Sequence, residues 1–122
     1  MRVEKNYTLK DKAMQMTNIP FGTTDWAMIE AIEHKGESGS AFWRTKQCGN
    51  IRVRMVEYTA GYKADHWCQK GHILLCLEGE LYTELENGEV HLLKAGMSYE
   101  VADDTMAHRS YTPSGAKLFI VD

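Results

Sequence analysis

Three side chains of the kinds that bind transition metals lie close together in the middle of the chain. His66 and Cys68 are separated by one residue, so in an extended chain both point to the same face. His72 follows six residues after His66, a span of roughly 20 Å in a straight strand, which is too long for one ion. The polar, glycine-containing segment 69–71 suits a chain reversal that would bring the three side chains together. Imidazole and thiolate groups that meet in this way bind zinc and related metals.

A fourth candidate ligand, His108, lies on a later predicted strand, after a turn at residues 103–104. The alternative is that all four are ordinary strand residues, since a His-x-Cys pair by itself is common. Cys76 lies in an apolar run and is predicted to be a core residue, and Cys48 is predicted to lie in a turn. The remaining histidines, predicted to be exposed, are His34 and His91.

The elements that must position these side chains are predicted to be strands. Period-two alternation and turn residues divide the chain after residue 40 into strands at 41–45, 51–56, 73–77, 81–86, 89–93, 97–102, 108–111 and 117–121. The apolar run 73–77 is predicted to be buried on both faces and to end at Glu78 and Gly79. Asn87-Gly88 predicts a hairpin with a type I′ turn. Short strands at regular intervals indicate an all-β sandwich or barrel.

The part of the chain before residue 40 carries weaker signals. Residues 1–18 are predicted to form a flexible N-terminal arm ahead of the compact part. Asp25 is a suitable cap for a helix that Gly36 would end, and the apolar residues between them have helical spacing. The local pattern therefore favours a helix there, although a strand also fits.

The chain resembles the cupins. Their first motif has His-x-His, three residues, an acidic residue and a glycine seven positions on, and the matching positions here are His66, Cys68, His72 and Gly79. Their second motif has a glycine followed by a histidine about a dozen residues later, and Gly96 and His108 have a similar spacing here. The segments ADHWCQKGHI, RVRMVEYTAGY and HRSYTPSGAKLFIVD are also similar to a small group called DHCW-motif cupin fold proteins.

This resemblance covers residues 19–122 and implies one cupin-type jelly-roll β-barrel, with a metal ion inside its mouth. It implies four ligands, which are His66, Cys68, His72 and His108. It also implies a strand rather than a helix at residues 25–33. Cupins usually present His, His, Glu and His at the ligand positions, whereas this chain has Cys at the second position and His at the third.

The expected cofactor is a divalent metal ion. Three imidazoles and a thiolate suit zinc first, with iron or nickel as alternatives. Four bound side chains would close the site, whereas three histidines with Cys68 turned away would leave a position for water. Asp65 is a candidate for orienting an imidazole. The weaker candidates for contacting a small-molecule ligand in the barrel mouth are Arg54, Tyr58, Glu100 and Arg109, and an arginine there would suit a carboxylate-bearing ligand.

Composition excludes several classes of partner. The net charge of −3 gives no basic excess, so neither nucleic acid nor an anionic membrane surface is an expected partner. Three cysteines without framework spacing and an N-terminus without an apolar segment indicate a cytoplasmic protein. A homodimer is expected, formed through the N-terminal arm or an exposed strand edge.

Two classes of function fit these residues. One is a small metal-dependent enzyme, such as an isomerase, lyase or dioxygenase, that acts on a small polar molecule. The other is a non-catalytic, metal-stabilised module that binds or senses a small ligand, which is favoured by the lack of a clear acid–base pair. A closed site would indicate the module, and an open position on the metal would indicate the enzyme.

Overall fold

The computed structural model describes residues 14–122, and nearly all of its regular structure is β-strand. The described residues contain one single-turn 3₁₀ helix, Trp26–Met28, and none of their helices is long and apolar enough to cross a membrane. Most of the predicted arm, residues 1–13, lies outside the described residues. The strands are β1 Ile32–Lys35, β2 Ser40–Cys48, β3 Ile51–Tyr58, β4 Tyr62–Lys63, β5 His72–Leu85, β6 Val90–Lys94, β7 Ser98–Val101, β8 His108–Thr112 and β9 Ala116–Val121.

The strands form two antiparallel sheets that share β5. The hydrogen-bonded order is β1-β2-β3-β9-β5-β8-β4, and β6 and β7 also pair with β5. The first half of β5 pairs with β9 and β7, whereas its second half pairs with β8 and β6. Because one long strand belongs to both sheets, the sheets face each other and enclose a common interior. The prediction of an all-β fold is therefore confirmed.

The interior has an apolar part and a polar part. Its buried apolar residues are Ala41, Val56, Leu74, Cys76, Leu81, Leu93, Ala116, Leu118 and Ile120. Alternate residues of a strand share a face, so the inward faces of β3, β5 and β9 continue from this core to Arg54, His72 and Asp122. The strands thus place charged and imidazole side chains at one end of an otherwise apolar interior.

The N-terminal part of the barrel differs from both sequence-based readings. The strand expected at residues 25–33 is wrong, because Trp26–Met28 is a 3₁₀ turn and β1 begins only at Ile32. Asp25 caps the turn, since its side chain accepts a hydrogen bond from the backbone N–H of Ala27 at 3.1 Å. The capping signal at Asp25 is therefore correct, but the helix that Asp25 caps is only a single turn.

The apolar run at residues 73–77 is buried on one face only. Ile73 is 60% exposed and Leu77 is 37% exposed, whereas Leu74 and Cys76 are buried. The strand does not end at Glu78 and Gly79 as predicted, because β5 passes through a β-bulge between Cys76 and Glu78. Gly79 adopts a φ of +78° there, a conformation that glycine takes without steric cost, so the strand continues.

The predicted hairpin at Asn87-Gly88 is confirmed, but the predicted type I′ turn is wrong. Four residues, 86–89, separate β5 from β6, and Gly88 alone among them has a positive φ, of +92°. The carbonyl of Leu85 accepts a hydrogen bond from Gly88 N–H at 3.0 Å, as in a type I turn followed by a left-handed glycine. Asn87 instead uses its side-chain oxygen to accept from Glu89 N–H at 3.0 Å.

Candidate metal centre

Three of the four predicted ligands meet at the polar end of the interior. The donor atoms of Cys68, His72 and His108 all lie within 4.8 Å of one another. His72 begins β5 and His108 begins β8. Cys68 lies before β5 and is held against β8 by two backbone hydrogen bonds with His108, of 2.8 and 3.0 Å. The backbone pairing therefore positions the thiol beside the imidazole of His108.

The protonation pattern of His108 suits a metal ligand. Its Nδ1 lies 2.9 Å from the carbonyl oxygen of Met106, which can only accept, so Nδ1 carries the proton and Nε2 presents a lone pair. Nε2 is buried and has no hydrogen-bond partner among residues 14–122. A buried acceptor without a partner costs about 1–3 kcal/mol, and a metal ion at this point would remove that cost. Histidines that bind metals commonly donate their second ring N–H to a carbonyl in this way.

His72 is held between a hydroxyl and a carboxylate. Its Nε2 lies 2.8 Å from the Tyr99 hydroxyl, and its Nδ1 lies 3.8 Å from Oδ2 of Asp122. Burial, together with the nearby His108, lowers the pKa of His72 to about 4, although Asp122 opposes this shift. The imidazole is therefore neutral at pH 7, which is the form that binds metals.

His66 is the predicted ligand that the structure does not bring into the cluster. Its side chain is 76% exposed, and its Nδ1 lies 2.6 Å from Oδ1 of Asp65, the residue predicted to orient an imidazole. The chain bends at residues 65 and 66, so the rule that alternate residues of an extended strand share a face does not apply there. His66 lies on the rim of the cavity beside the cluster.

The cluster opens into a cavity of about 210 Å³. Besides the three donors, its wall includes Trp43, Arg54, Tyr58, Tyr99, Ser110 and Asp122. Burial raises the pKa of Tyr58 and of Tyr99, so both phenols are neutral hydrogen-bonding groups at pH 7. The cavity wall therefore combines aromatic surface with a small number of polar groups, which is typical of small-molecule sites.

Asp122 organises the charges of this cavity, and the sequence reading missed it. Its side chain is 1% exposed and bonds Arg52 at 2.8 and 3.0 Å and Arg54 at 2.8 Å. Burial raises the pKa of Asp122, but the hydrogen bonds and charges of the two arginines outweigh burial and leave the pKa lowered. Through this ion pair the side chain of Arg52, which is 31% exposed, is held at the cavity wall. The sequence does carry a signal for Asp122. Alternate residues of a strand share a face, so the residue two positions after Ile120 is expected to point inward as Leu118 and Ile120 do.

Three of the four remaining candidates line the cavity, and one lies outside it. Tyr58 and Arg54 line the cavity, and Arg109 lies on its wall as well. The guanidinium of Arg109 stacks 4.6 Å from the ring centroid of Trp67 and bonds Glu84 at 2.8 Å. Glu100 lies outside this cavity, because Tyr99 takes the inward position of β7.

Solved structures with a similar fold are cupins and related proteins. A predicted oxalate decarboxylase from Thermotoga maritima matches with a TM-score of 0.70 and 14% identity, over 82% of this chain and 96% of that chain. An RmlC-like cupin from Shewanella frigidimarina matches at 0.64 and 18%, over 86% and 92%. The Fe(II) form of HppE matches at 0.69 and 15%, over 83% and 59%. No protein-family model and no curated protein matches the chain. The structural likeness establishes the fold, which is the cupin-type jelly-roll barrel that the resemblance to cupins implied.

Proposed function

We propose that this chain is a metal-binding cupin that acts on a small polar molecule in the mouth of its barrel. Cys68, His72 and His108 hold the metal ion in this proposal. The observation that carries it is the buried Nε2 of His108, whose lone pair lacks a partner among the described residues and lies beside two further donor atoms. A purely structural histidine would be expected to satisfy this atom with a protein donor.

Zinc is the first choice of metal, since a thiolate and two imidazoles are ligands that it accepts in tetrahedral geometry. Iron and nickel are the alternatives, and the similarity in fold to an Fe(II) protein supports iron. A bound divalent ion would polarise a carbonyl group or lower the pKa of a bound water molecule. Three protein donors are also the number found in catalytic zinc sites, which keep one position open.

The second candidate function is a non-catalytic, metal-stabilised module that binds or senses a small ligand. The observation that favours it is the position of His66, which lines the same cavity and would close the coordination shell as a fourth ligand. Asp65 would then orient its imidazole through Nδ1, the atom that it already contacts. The two candidates differ in whether the metal keeps an open position.

The experiment that tests the site is elemental analysis of untagged protein purified without chelator. We expect about one equivalent of a single metal in the wild type and none in His108→Ala. His91→Ala is the matched control, because His91 is exposed and bonds Glu89 at 2.9 Å, and it should retain the metal. The proposal fails if the wild type holds no metal and does not take up added zinc, iron or nickel.

His66→Ala separates the two candidate functions. If the site is open, the variant keeps one equivalent of metal and the same gain in melting temperature on metal loading. If the site is closed, the fourth ligand is lost, and metal affinity and the gain in melting temperature both fall. Equilibrium dialysis and thermal unfolding of the same samples measure these two quantities.

The wider assignments are proposals as well. The segments quoted above support a place in the DHCW-motif group. Three cysteines without framework spacing support a cytoplasmic protein, and the net charge of −3 supports one that binds neither nucleic acid nor membranes. A homodimer is supported by β1, which is exposed along its length and is hydrogen-bonded to β2 alone among the described strands. Light scattering coupled to size-exclusion chromatography should give twice the chain mass, and a monomer mass would rule the dimer out.

A further inference from the structure

The wall of the cavity carries an excess of positive charge. Arg52 and Arg54 both bond the single carboxylate of Asp122, so two guanidinium groups share one negative charge. The next arginine on the wall, Arg109, has a carboxylate of its own in Glu84. Among residues 14–122, the side chain of Asp122 is the one carboxylate within ion-pair distance of these two arginines. Arg54, at 7% side-chain exposure, is the more buried of the two, and a buried cation that shares its carboxylate with a second arginine favours an anionic ligand.

Arg54 is the member of this group with unused hydrogen-bonding capacity. Its side chain is 7% exposed, and its Nη2 donates to Asp122 at 2.8 Å. Its Nε is buried and has no partner among residues 14–122. The guanidinium carbon lies 4.3 Å from the ring centroid of Trp43, so the indole covers one face of the group. Stacking on an aromatic ring leaves the edge of a guanidinium, which carries its N–H donors, as the part that can bind oxygen atoms.

The guanidinium of Arg54 lies close to the candidate metal ligands. Arg54 Nη2 and His72 Nδ1 approach the same atom, Oδ2 of Asp122, at 2.8 and 3.8 Å. A molecule with two or three carbon atoms can therefore reach both the arginine and the cluster. The cavity of about 210 Å³ also lies below the range of about 300–1,000 Å³ that is usual for drug-sized ligands.

We propose that the cavity binds a small monocarboxylate, whose carboxylate group is held by Arg54 and whose second polar group faces the Cys68–His72–His108 cluster. This inference rests on the proposed function, because it names the class of molecule that occupies the same mouth. A carboxylate fits better than a phosphate, since the Arg52–Arg54–Asp122 group supplies one surplus positive charge and a guanidinium pairs with a carboxylate through two parallel hydrogen bonds.

The test compares small carboxylates with their uncharged amides on zinc-loaded protein. Acetate, lactate and glycolate are titrated by calorimetry against acetamide, lactamide and glycolamide, and inorganic phosphate is the third probe. We expect at least one carboxylate to bind at least tenfold more tightly than its amide and more tightly than phosphate. Equal binding of all carboxylates and amides overturns the inference, and tighter binding of phosphate replaces the carboxylate with a phosphate ligand.

Variants at Arg54 assign the effect to this residue. Arg54→Met keeps the length of the side chain and removes the charge, and we expect it to abolish the preference for the carboxylate. Arg54→Lys keeps a positive charge opposite Asp122 and loses the planar fork, so it should fold even if the methionine variant does not, and it should bind the carboxylate at least threefold more weakly. Arg44→Met is the matched control, because Arg44 bonds the carbonyl of Ile29 outside the cavity, and it should bind as the wild type does. Wild-type affinity in the Arg54 variants overturns the inference.

Zinc content, measured in each sample, distinguishes a failure of metal binding from a failure of carboxylate binding. The Arg54 variants should retain about one equivalent of zinc, because Arg54 is not among the three donors. A wild type that takes up no metal contradicts the proposed function, whereas a fully loaded wild type without a carboxylate preference contradicts the present inference alone.

Discussion

At the scale of single residues, the candidate site depends on which atoms carry protons. His108 donates through Nδ1 to Met106, and His72 is kept neutral mainly by burial. The imidazole of His72 therefore presents a lone pair at pH 7 without competition from a proton. Asp122 has the opposite role, because two arginines keep its carboxylate ionised inside the barrel.

Protonation of His72 should make the metal-free protein sensitive to acid. The pKa of His72 is about 4 in the folded chain and 6.5 in the unfolded chain, so between these values the unfolded chain binds the proton more readily. The free energy of unfolding of chelator-treated protein should therefore fall as the pH decreases from 6.5 to about 4, and no further contribution from His72 is expected below that. Urea unfolding at several pH values measures this dependence.

His72→Gln should reduce that pH dependence, because glutamine does not titrate. His91→Gln is the control, since His91 is exposed, and it should keep the wild-type slope. An unchanged slope in His72→Gln would show that other groups cause the acid sensitivity.

Replacement of the Cys68 thiol should change the spectrum of the metal. Cobalt-loaded wild-type protein should show a charge-transfer band from thiolate to cobalt in the near ultraviolet. Cys68→Ser should lose the band, and Cys48→Ser should keep it, because Cys48 lies at the end of β2 and outside the cluster. A band that persists in Cys68→Ser would exclude this thiol from the coordination shell.

At the scale of elements, the site is a continuation of the core along the same strand faces. The inward positions of β5 change from Cys76 and Leu74 to His72. In β9 the inward positions are Leu118 and Ile120, and Asp122 follows them directly after the strand ends. The apolar half stabilises the barrel by burial, and so the strands can present polar groups at the other end in a fixed geometry. The bulge near Gly79 keeps β5 continuous, which holds both sheets on one strand.

Gly79→Ala should destabilise the fold more than a change at another glycine with a similar backbone. Gly79 and Gly61 have φ of +78° and +82°, so alanine is strained at either position. A Cβ atom at Gly79 would collide with the backbone carbonyl of Gly115, whereas one at Gly61 would meet no atom within 4 Å. We expect Gly79→Ala to lower the free energy of unfolding by about 2 kcal/mol more than Gly61→Ala does, as measured in urea. Equal losses would mean that the backbone around the bulge shifts to accept the methyl group.

At the scale of the whole molecule, a metal ion would connect parts of the barrel that are far apart in the chain. Its three ligands lie before β5, on β5 and on β8, and so a bound ion would link both sheets. Binding to the folded chain alone adds stability through mass action. The metal would then act as both a structural and a functional group.

Metal loading should therefore raise the melting temperature of the wild type. At a free zinc concentration 100 times the dissociation constant, the gain in free energy of unfolding is about 2.7 kcal/mol. His108→Ala should show no gain under the same conditions, and chelator should return the wild type to its metal-free value. Equal gains in both proteins would mean that zinc binds elsewhere.

The sequence by itself determined the features that depend on neighbours within a few residues. Alternation and turn residues predicted the strands after residue 40 and the hairpin at Asn87-Gly88, because side-chain direction and turn chemistry are local properties. The motif spacing named four candidate ligands, of which Cys68, His72 and His108 meet and His66 does not.

Only the tertiary structure decided which distant groups complete the site. Asp122 meets Arg54 across 68 positions, and Tyr99 meets His72 across 27. His66 turns away from the cluster because the chain bends there, while Cys68 is held by backbone pairing with His108. Such contacts depend on strand order, strand register and local bends, and these are set by the packing of the whole barrel and not by the residues on either side.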